Sequence, residues 1–173
     1  MVAQRMYLRR CRASDAPAIL AIRAHPVTRR FQPMIPGTLD RLEQILAERG
    51  SLPLTPSQSS KLQWTIMVDE TPVGWISLDI THRKHHIASL GYAVDPHWHG
   101  RGLATTAIRE VVAISFDRQS LAIERLEAVA AVGNVASRRV LEKCGFELEG
   151  IARGYLIVSE QRVDHARYAL VRD

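Results

Sequence analysis

Apolar positions recur along the chain with two periods, and their alternation predicts the order of the elements. Met6 to Cys11 has the composition of a short strand. Ser14 and Asp15 then offer an N-cap for a helix running to about His25, with Ala18, Ile19 and Ile22 on one face. Pro33, Pro36 and Gly37 break the chain, and Thr38 is suited to cap a second helix, Leu39 to Arg49. There Leu42, Ile45 and Leu46 form the apolar stripe, and Gly50 is the stop. The stretch Ser51 to Ser60, rich in Ser and Pro, has no regular period and reads as a mobile loop near an open site; with the residues near Arg29 to Pro36 it is expected to line the cleft of any acceptor.

Trp64 to Val68 and Val73 to Ile80 are strand-like runs joined by Asp69-Glu70-Thr71-Pro72, a hairpin composition. His82 to His86 is a polar turn into a third strand, Ile87 to Val94, which Pro96 closes because it cannot donate to a ladder. A helix follows from about Arg101 to Asp117, with Leu103, Ala107, Ile108, Val111, Val112 and Ile114 toward the buried side. Leu126 to Ala131 is then a strand, and Ser137 to Lys143 lies in a helix that ends at Gly145. Phe146 to Leu148 begins another strand, and Tyr155 to Val158 pairs with His165 to Val171 around Glu160-Gln161 as a terminal hairpin. This order predicts an α/β (α+β) domain spanning 1–173, a mixed sheet with helices on both faces.

Composition narrows the class. A chain of 173 residues that is 46% hydrophobic can bury a core without disulfides or metals. No run approaches the length of a membrane span, and MVAQRMYLRR lacks the apolar stretch of a signal peptide, so a soluble cytoplasmic protein is expected. Cys11 and Cys144 lack zinc-site spacing and read as reduced, structural residues. The net charge of +5 is uneven: the first thirty residues hold seven arginines against the single acid Asp15. Such a surface could attract RNA, an acidic peptide or cofactor phosphates, or be a solvated strand edge and helix face. Without interleaved aromatics it predicts no direct nucleic-acid readout.

Two segments carry chemistry. In His97-Trp98-His99-Gly100-Arg101-Gly102-Leu103-Ala104, two glycines lie between a strand and a helix start. There backbone N–H groups can approach an anion, and the helix N-terminus adds unpaired donors and a positive partial charge. Arg101 is placed to add a charge-assisted bond or to face solvent, and Thr105 and Thr106 to add hydroxyls; Gly-x-Gly also serves plain tight turns. The segment fits neither a Walker loop nor a dinucleotide fingerprint, since position 105 is threonine where a third glycine would fall. About thirty residues on, Asn134-Val135-Ala136-Ser137 opens a second helix that closes on Lys143-Cys144-Gly145-Phe146. Asn134 and Ser137, three apart, share a side and could hydrogen-bond a bound amide or thiol; capping the helix is the competing role for Asn134.

These motifs, in this order, resemble the GNAT superfamily of N-acetyltransferases, on the branch of the ribosomal-protein alanine N-acetyltransferases. The family's Gln/Arg-x-x-Gly-x-Gly/Ala falls on His97, Gly100 and Gly102, with His in place of Gln or Arg. Asn-x-x-Ser followed by Lys-x-Gly-Phe falls on Asn134, Ser137, Lys143, Gly145 and Phe146. The resemblance spans nearly the whole chain and implies a mostly antiparallel, twisted sheet of about seven strands. It further implies acetyl-CoA as co-substrate, held by Ala93, Val94, His99, Gly100, Arg101, Gly102, Leu103, Ala104, Thr105, Asn134 and Ser137. In that reading Asn134 meets the pantetheine arm, Ser137 sits near the sulfur as the catalytic hydroxyl, and backbone N–H groups of Ala93-Val94 polarise the carbonyl.

The implied reaction is direct attack of a neutral amine on the thioester, with a protein or peptide N-terminus, ribosomal among them, as the leading acceptor. A small-molecule amine such as an antibiotic or polyamine is the alternative within the enzyme class, and a CoA-binding module without catalysis is the alternative outside it. A homodimer is compatible with the family, and no membrane partner is expected. The general base has no clear owner: some relatives carry a carboxylate where this chain has Leu156, and Asp79, Glu149 and Tyr155 are the substitutes on offer. His82, His85, His86, His97 and His99 do not complete a metal set, Cys144 reads as a packing residue, and Trp64, Trp75 and Trp98 read as core or cleft wall.

Overall fold

A computed structural model describes residues 5–33, 37–58 and 60–173. Pro36, expected to help break the chain, lies outside them. The strands are β1 (Met6–Arg10), β2 (Lys61–Val68), β3 (Thr71–His82), β4 (Ile87–Val94), β5 (Arg125–Ala131), β6 (Glu147–Val158) and β7 (Gln161–Val171). The helices are α1 (Ala16–Ala24), α2 (Pro26–Arg29), α3 (Leu39–Ser51), α4 (Leu103–Phe116) and α5 (Val135–Lys143). The strands form one mixed sheet in the order β1-β2-β3-β4-β5-β7-β6. Only β4 and β5 are parallel, and α4 supplies the crossover that a parallel pair requires.

Alternation along the strands sends two apolar sets to opposite faces. Leu62, Trp64, Ile66, Ile76, Leu78, Leu90, Leu126 and Tyr168 join Ile108 and Val111 of α4 and Leu141 of α5 in the larger core. Trp75 and Ala93 point the other way, against Ile19 and Ile22 of α1 and Leu42 and Leu46 of α3. Each fully buried aliphatic side chain contributes about 1.5–3 kcal/mol. The sequence thereby commits α4 and α5 to one face, and α1 and α3 to the other.

The elements depart from expectation where tertiary contacts intervene. Asp15 does not cap α1 through its side chain; it accepts from Arg12 N–H at 2.9 Å across a 3-10 turn (Ala13–Asp15). Its carboxylate also takes two bonds from Arg9, at 2.6 and 2.8 Å, and one from Thr65 Oγ1 at 2.6 Å. Burial would raise its pKa, but these donors more than offset burial and hold it below the ordinary value. Gly50 does not stop α3, which runs on to Ser51. A Cβ there would lie 2.0 Å from the Cys11 carbonyl oxygen, so glycine is needed for the helix to touch the end of β1.

Among the described residues of the loop between α3 and β2, none lines the cleft at the candidate site. The Gln58 carbonyl accepts from Arg83 at 3.0 Å, beside the turn that precedes β4. Both ends of the terminal region are longer than periodicity predicted. Where two strand fragments were expected, β6 is one strand whose register shifts around Gly150 and Gly154. Its turn is Ser159-Glu160, with φ of 49° and 66°, the left-handed pair that closes a two-residue hairpin.

Two outcomes follow for stability. Asp15→Asn should lower unfolding free energy by about 3 kcal/mol, because it strands Arg9 in a half-buried setting. Since the folded pKa of Asp15 is depressed, its contribution is present above about pH 4 and is lost as pH falls through the folded value; urea titration from pH 7 to 3 reads this as a flattened acid limb in the variant. Gly50→Ala should be destabilising by at least about 2 kcal/mol, since backbone rather than a flexible side chain stands in the way; thermal unfolding measures it.

Candidate active site

β4 and β5 pair at only three positions, Ile87 with Arg125, Ala88 with Leu126 and Ser89 with Glu127. Beyond them β4 continues on β3 alone and β5 on β7 alone, so the sheet opens into a V. Asp95 N–H donates to Val73 on the β3 side at 2.8 Å. Strand alternation then turns the backbone groups of Ala93 toward β3 and those of Tyr92 and Val94 into the gap. The Ala93 carbonyl oxygen accordingly lies over Gly74, 2.5 Å from where a Cβ would stand. The Tyr92 carbonyl accepts from Gln32 Nε2 at 3.0 Å, and the Val94 carbonyl from His99 Nε2 at 2.9 Å. Of the expected pair Ala93-Val94, therefore, only Val94 presents its backbone to the gap.

The gap widens into a cleft of about 580 Å³. Ala93, Val94, His99, Gly100, Arg101, Gly102, Leu103, Ala104, Thr105, Asn134 and Ser137 all line it, so residues more than forty apart in sequence meet at one surface. At its mouth Gly100 and Gly102 both hold φ at 76°, a left-handed conformation in which glycine is unstrained. No atom lies within 4 Å of a Cβ placed on either, so backbone shape rather than crowding selects glycine, and the space above stays open. The first intrahelical bond of α4 is from Thr106 N–H to the Gly102 carbonyl at 3.0 Å. The N–H groups of Leu103, Ala104 and Thr105 precede it and face the cleft mouth as helix N-terminal donors. The helix begins two residues later than periodicity indicated because a left-handed Gly102 cannot be interior to it.

Several side chains take other roles than expected. Thr106 spends its hydroxyl on the Gly102 carbonyl at 3.3 Å, leaving Thr105 as the threonine at the cleft. His97 turns to Asp95, with Nδ1 to Oδ1 at 2.8 Å, and is not part of the lining. Burial would raise the Asp95 pKa, but bonds from the His97 N–H and imidazole hold it low. Arg101 stacks over Trp98, 4.5 Å from carbon to ring centroid.

At the inner end, α5 begins with a capped turn: Asn134 Oδ1 accepts from Ser137 N–H at 3.2 Å. The cap uses the amide oxygen and leaves the amide N–H₂ as the donor. Ser137 Oγ lies 2.8 Å from the Tyr92 hydroxyl, which also donates to the Ser137 carbonyl at 3.3 Å. Burial pushes the Tyr92 phenol up to about 12, only partly countered by Ser137, so it stays protonated at neutral pH. Tyr92 was not singled out in sequence, although its place two residues before Val94 puts it on the same side of the strand. Phe31 and Gln32, in the stretch near Arg29 to Pro36 expected at the acceptor cleft, do line it; Val27 and Thr28 of α2, and Arg139 and Lys143 on α5, line it too and were not assigned there in sequence. The two cations lie one helical turn apart, with Arg139 two positions beyond Ser137 and Lys143 the lysine of the motif that closes the helix.

No aspartate or glutamate lines the cleft among the described residues. Glu149 is paired with Arg125 at 2.6 Å, Asp79 lies 4.0 Å from Lys61, and Tyr155 packs against the His165 ring at 5.9 Å. Cys144 is packed against the core with its thiol pKa raised by burial, which disfavours a nucleophilic thiolate. Among the described residues no group of three or more His, Cys, Asp or Glu is placed to hold a metal, and no helix is long and apolar enough to cross a membrane.

Comparison with known proteins sets this geometry in a family. Residues 5–147 match the acetyltransferase (GNAT) domain. The L-amino acid N-acetyltransferase AaaT of Escherichia coli is 27% identical over 168 residues, 95% of this chain and 97% of that protein. The [ribosomal protein uS5]-alanine N-acetyltransferase of the same organism is 33% identical over 92 residues, 53% of this chain and 46% of that protein. The structure of Mycobacterium smegmatis RimJ in complex with CoA-disulfide superimposes with a TM-score of 0.79 at 26% identity, covering 96% of this chain and 81% of that one. The V-shaped parting of β4 and β5, flanked by the starts of α4 and α5, is the candidate active site of a chain that belongs to the GNAT acetyltransferase family.

Proposed function

We propose that this enzyme moves an acetyl group from acetyl-CoA directly to an α-amino group, foremost that of a protein or peptide N-terminus. The observation that carries the reading is the convergence on one cleft of two helix N-termini, a free strand edge and the Ser137 hydroxyl. The residues suit the co-substrate: the α4 start with Gly100 and Gly102 offers donors to a pyrophosphate, and Arg101, Arg139 and Lys143 add positive charge around it. Bound there, acetyl-CoA supplies an activated thioester.

The remaining work falls to the chain. The Asn134 amide N–H₂ holds the pantetheine arm, and the Val94 N–H, turned into the gap, polarises the acyl carbonyl. Ser137 donates its hydroxyl proton toward the departing sulfur, oriented by the Tyr92 hydroxyl, whose raised pKa keeps it protonated, and recovers a proton from solvent in the open cleft, matching the one the amine releases there. With no carboxylate in the lining, the acceptor enters as the neutral amine and its surplus proton goes to solvent. The amino-acid reading of the acceptor is favoured by one observation, the match to AaaT along 95% of this chain. A free amino acid and a peptide N-terminus share the α-amino chemistry.

Calorimetry with CoA and turnover with a panel of peptides and amino acids test the assignment; a chain that neither binds CoA nor acetylates any amine overturns it. Ser137→Ala should lower kcat about 100-fold with CoA affinity within about threefold of the parent, and Tyr92→Phe should lower kcat about tenfold. Equal losses in turnover and affinity would make Ser137 a binding residue. The pH profile of kcat/KM should rise to a plateau above the pKa of the acceptor, about 8 for an α-amine. An inflection in the carboxylate range would instead reveal a side-chain base.

A further inference from the structure

The sheet face opposite α4 and α5 carries a group of cations and donors that acyl transfer does not use. Register places Lys61 beside Asp79, Gln63 beside Ser77 and Thr65 beside Trp75 on that face. Arg23 of α1 lays its guanidinium over Trp75, 5.6 Å from carbon to ring centroid. Arg49 of α3 donates to Gln63 Oε1 at 2.7 Å, which orients the amide and leaves Nε2 as a donor. Gln63 Nε2, Trp75 Nε1 and Arg23 Nε are each buried without a hydrogen-bond partner among the described residues. Gln63 is 0% exposed and Trp75 7%. Unpaired buried donors are destabilising, so three in one neighbourhood call for an acceptor.

The charge points the same way. Burial lowers the pKa of Arg23, Arg49 and Lys61, and repulsion from Arg49 lowers those of Arg23 and Lys61 further. The carboxylates beside them are Asp79, half exposed and 4.0 Å from Lys61, and Glu48, which acts on Arg49; against three cations they still leave a positive surplus. The cluster also adjoins the cleft. Trp75 is the cross-strand partner of Ala93 in the lining, and Arg23 precedes by three residues the start of α2, which supplies Val27 and Thr28 to it. Beside them Gly91 keeps the floor low: a Cβ there would make an ordinary contact with Ser77 Oγ, at 3.5 Å.

We propose that Arg23, Trp75 and Gln63 form a subsite for a carboxylate of the acceptor, which makes the acceptor an amine that carries a carboxylate. The proposal rests on the acetyl-transfer reading for the amine alone; the anion subsite stands on its own donors. A cation with two neutral N–H groups around it matches the several lone pairs of one carboxylate, and an uncharged amide would leave the positive surplus unmet. The α-carboxylate of a free amino acid and an acidic side chain beside a peptide N-terminus both supply that group.

The test titrates the full chain, with and without CoA, against L-alanine, L-alaninamide, Ala-Glu amide and Ala-Gln amide, and uses the same four as acceptors with acetyl-CoA. At least one carboxylate compound should bind about tenfold or more tightly than its neutral counterpart, the scale of a charge-assisted hydrogen bond. Arg23→Gln should reduce that preference below about threefold without changing CoA affinity, and Trp75→Phe, which keeps the ring and removes the N–H, should reduce it in the same direction. Preference for alanine over its amide identifies a free amino acid; preference for Ala-Glu amide over Ala-Gln amide identifies an acidic peptide. Equal affinity within both pairs, or a preference that survives both substitutions, overturns the subsite. Loss of CoA binding with the carboxylate preference intact would strike the acetyl-transfer reading alone.

Discussion

The parting of β4 from β5 after three paired positions is the constraint on which the remaining structure depends. Two parallel strands that separate inside a sheet leave backbone groups without a ladder, a cost that a fold tolerates only where something else meets them. Here Gln32 and His99 meet the carbonyls of Tyr92 and Val94. The edge that remains can read a ligand as a neighbouring strand would. The two helices that follow β4 and β5 must then start at the lips of the opening, which is why α4 and α5 bring their N-termini to one cleft.

Holding that opening requires both flanks to be rigid. On one side Tyr92 ties β4 to the first turn of α5 through Ser137, while Tyr168 of β7 donates to Glu142 of α5 at 2.8 Å. On the other, the buried Asp15 carboxylate links β1, the approach to α1 and Thr65 on β2, and Gly50 lets α3 rest directly on the chain beyond β1. These contacts fix α1, and through His25, whose Nδ1 accepts from Val27 N–H at 3.2 Å, they aim α2 at the cleft. Residues far from the chemistry thereby set the width of the site.

The sheet also divides labour between its faces. The face under α4 and α5 carries the large apolar core and the helix starts suited to phosphate and thioester. The opposite face carries a smaller apolar cluster and, beside it, Arg23, Arg49, Lys61 and their unpaired neighbours. The arginine excess near the N-terminus, which sequence leaves as either a partner surface or a solvated strand edge and helix face, resolves into separate parts: Arg9 neutralises Asp15, Arg10 stacks on Trp64, and Arg23 stacks on Trp75.

The sequence by itself determined the order of the elements, the two apolar faces and the family, because periodicity and glycine spacing are local properties that no distant contact needs to supply. It also marked Gly100, Gly102, Asn134 and Ser137, whose roles begin with backbone conformation at helix starts. Tertiary structure alone decided the rest. That Tyr92 meets Ser137, that Ala93 turns its backbone away from the gap, that Gln58 meets Arg83 at the far end of β4, and that no carboxylate among the described residues lines the cleft all depend on strand register and on which strands part. Those are set by packing between residues tens of positions apart, and a one-residue change in register would send each of these side chains to the other face.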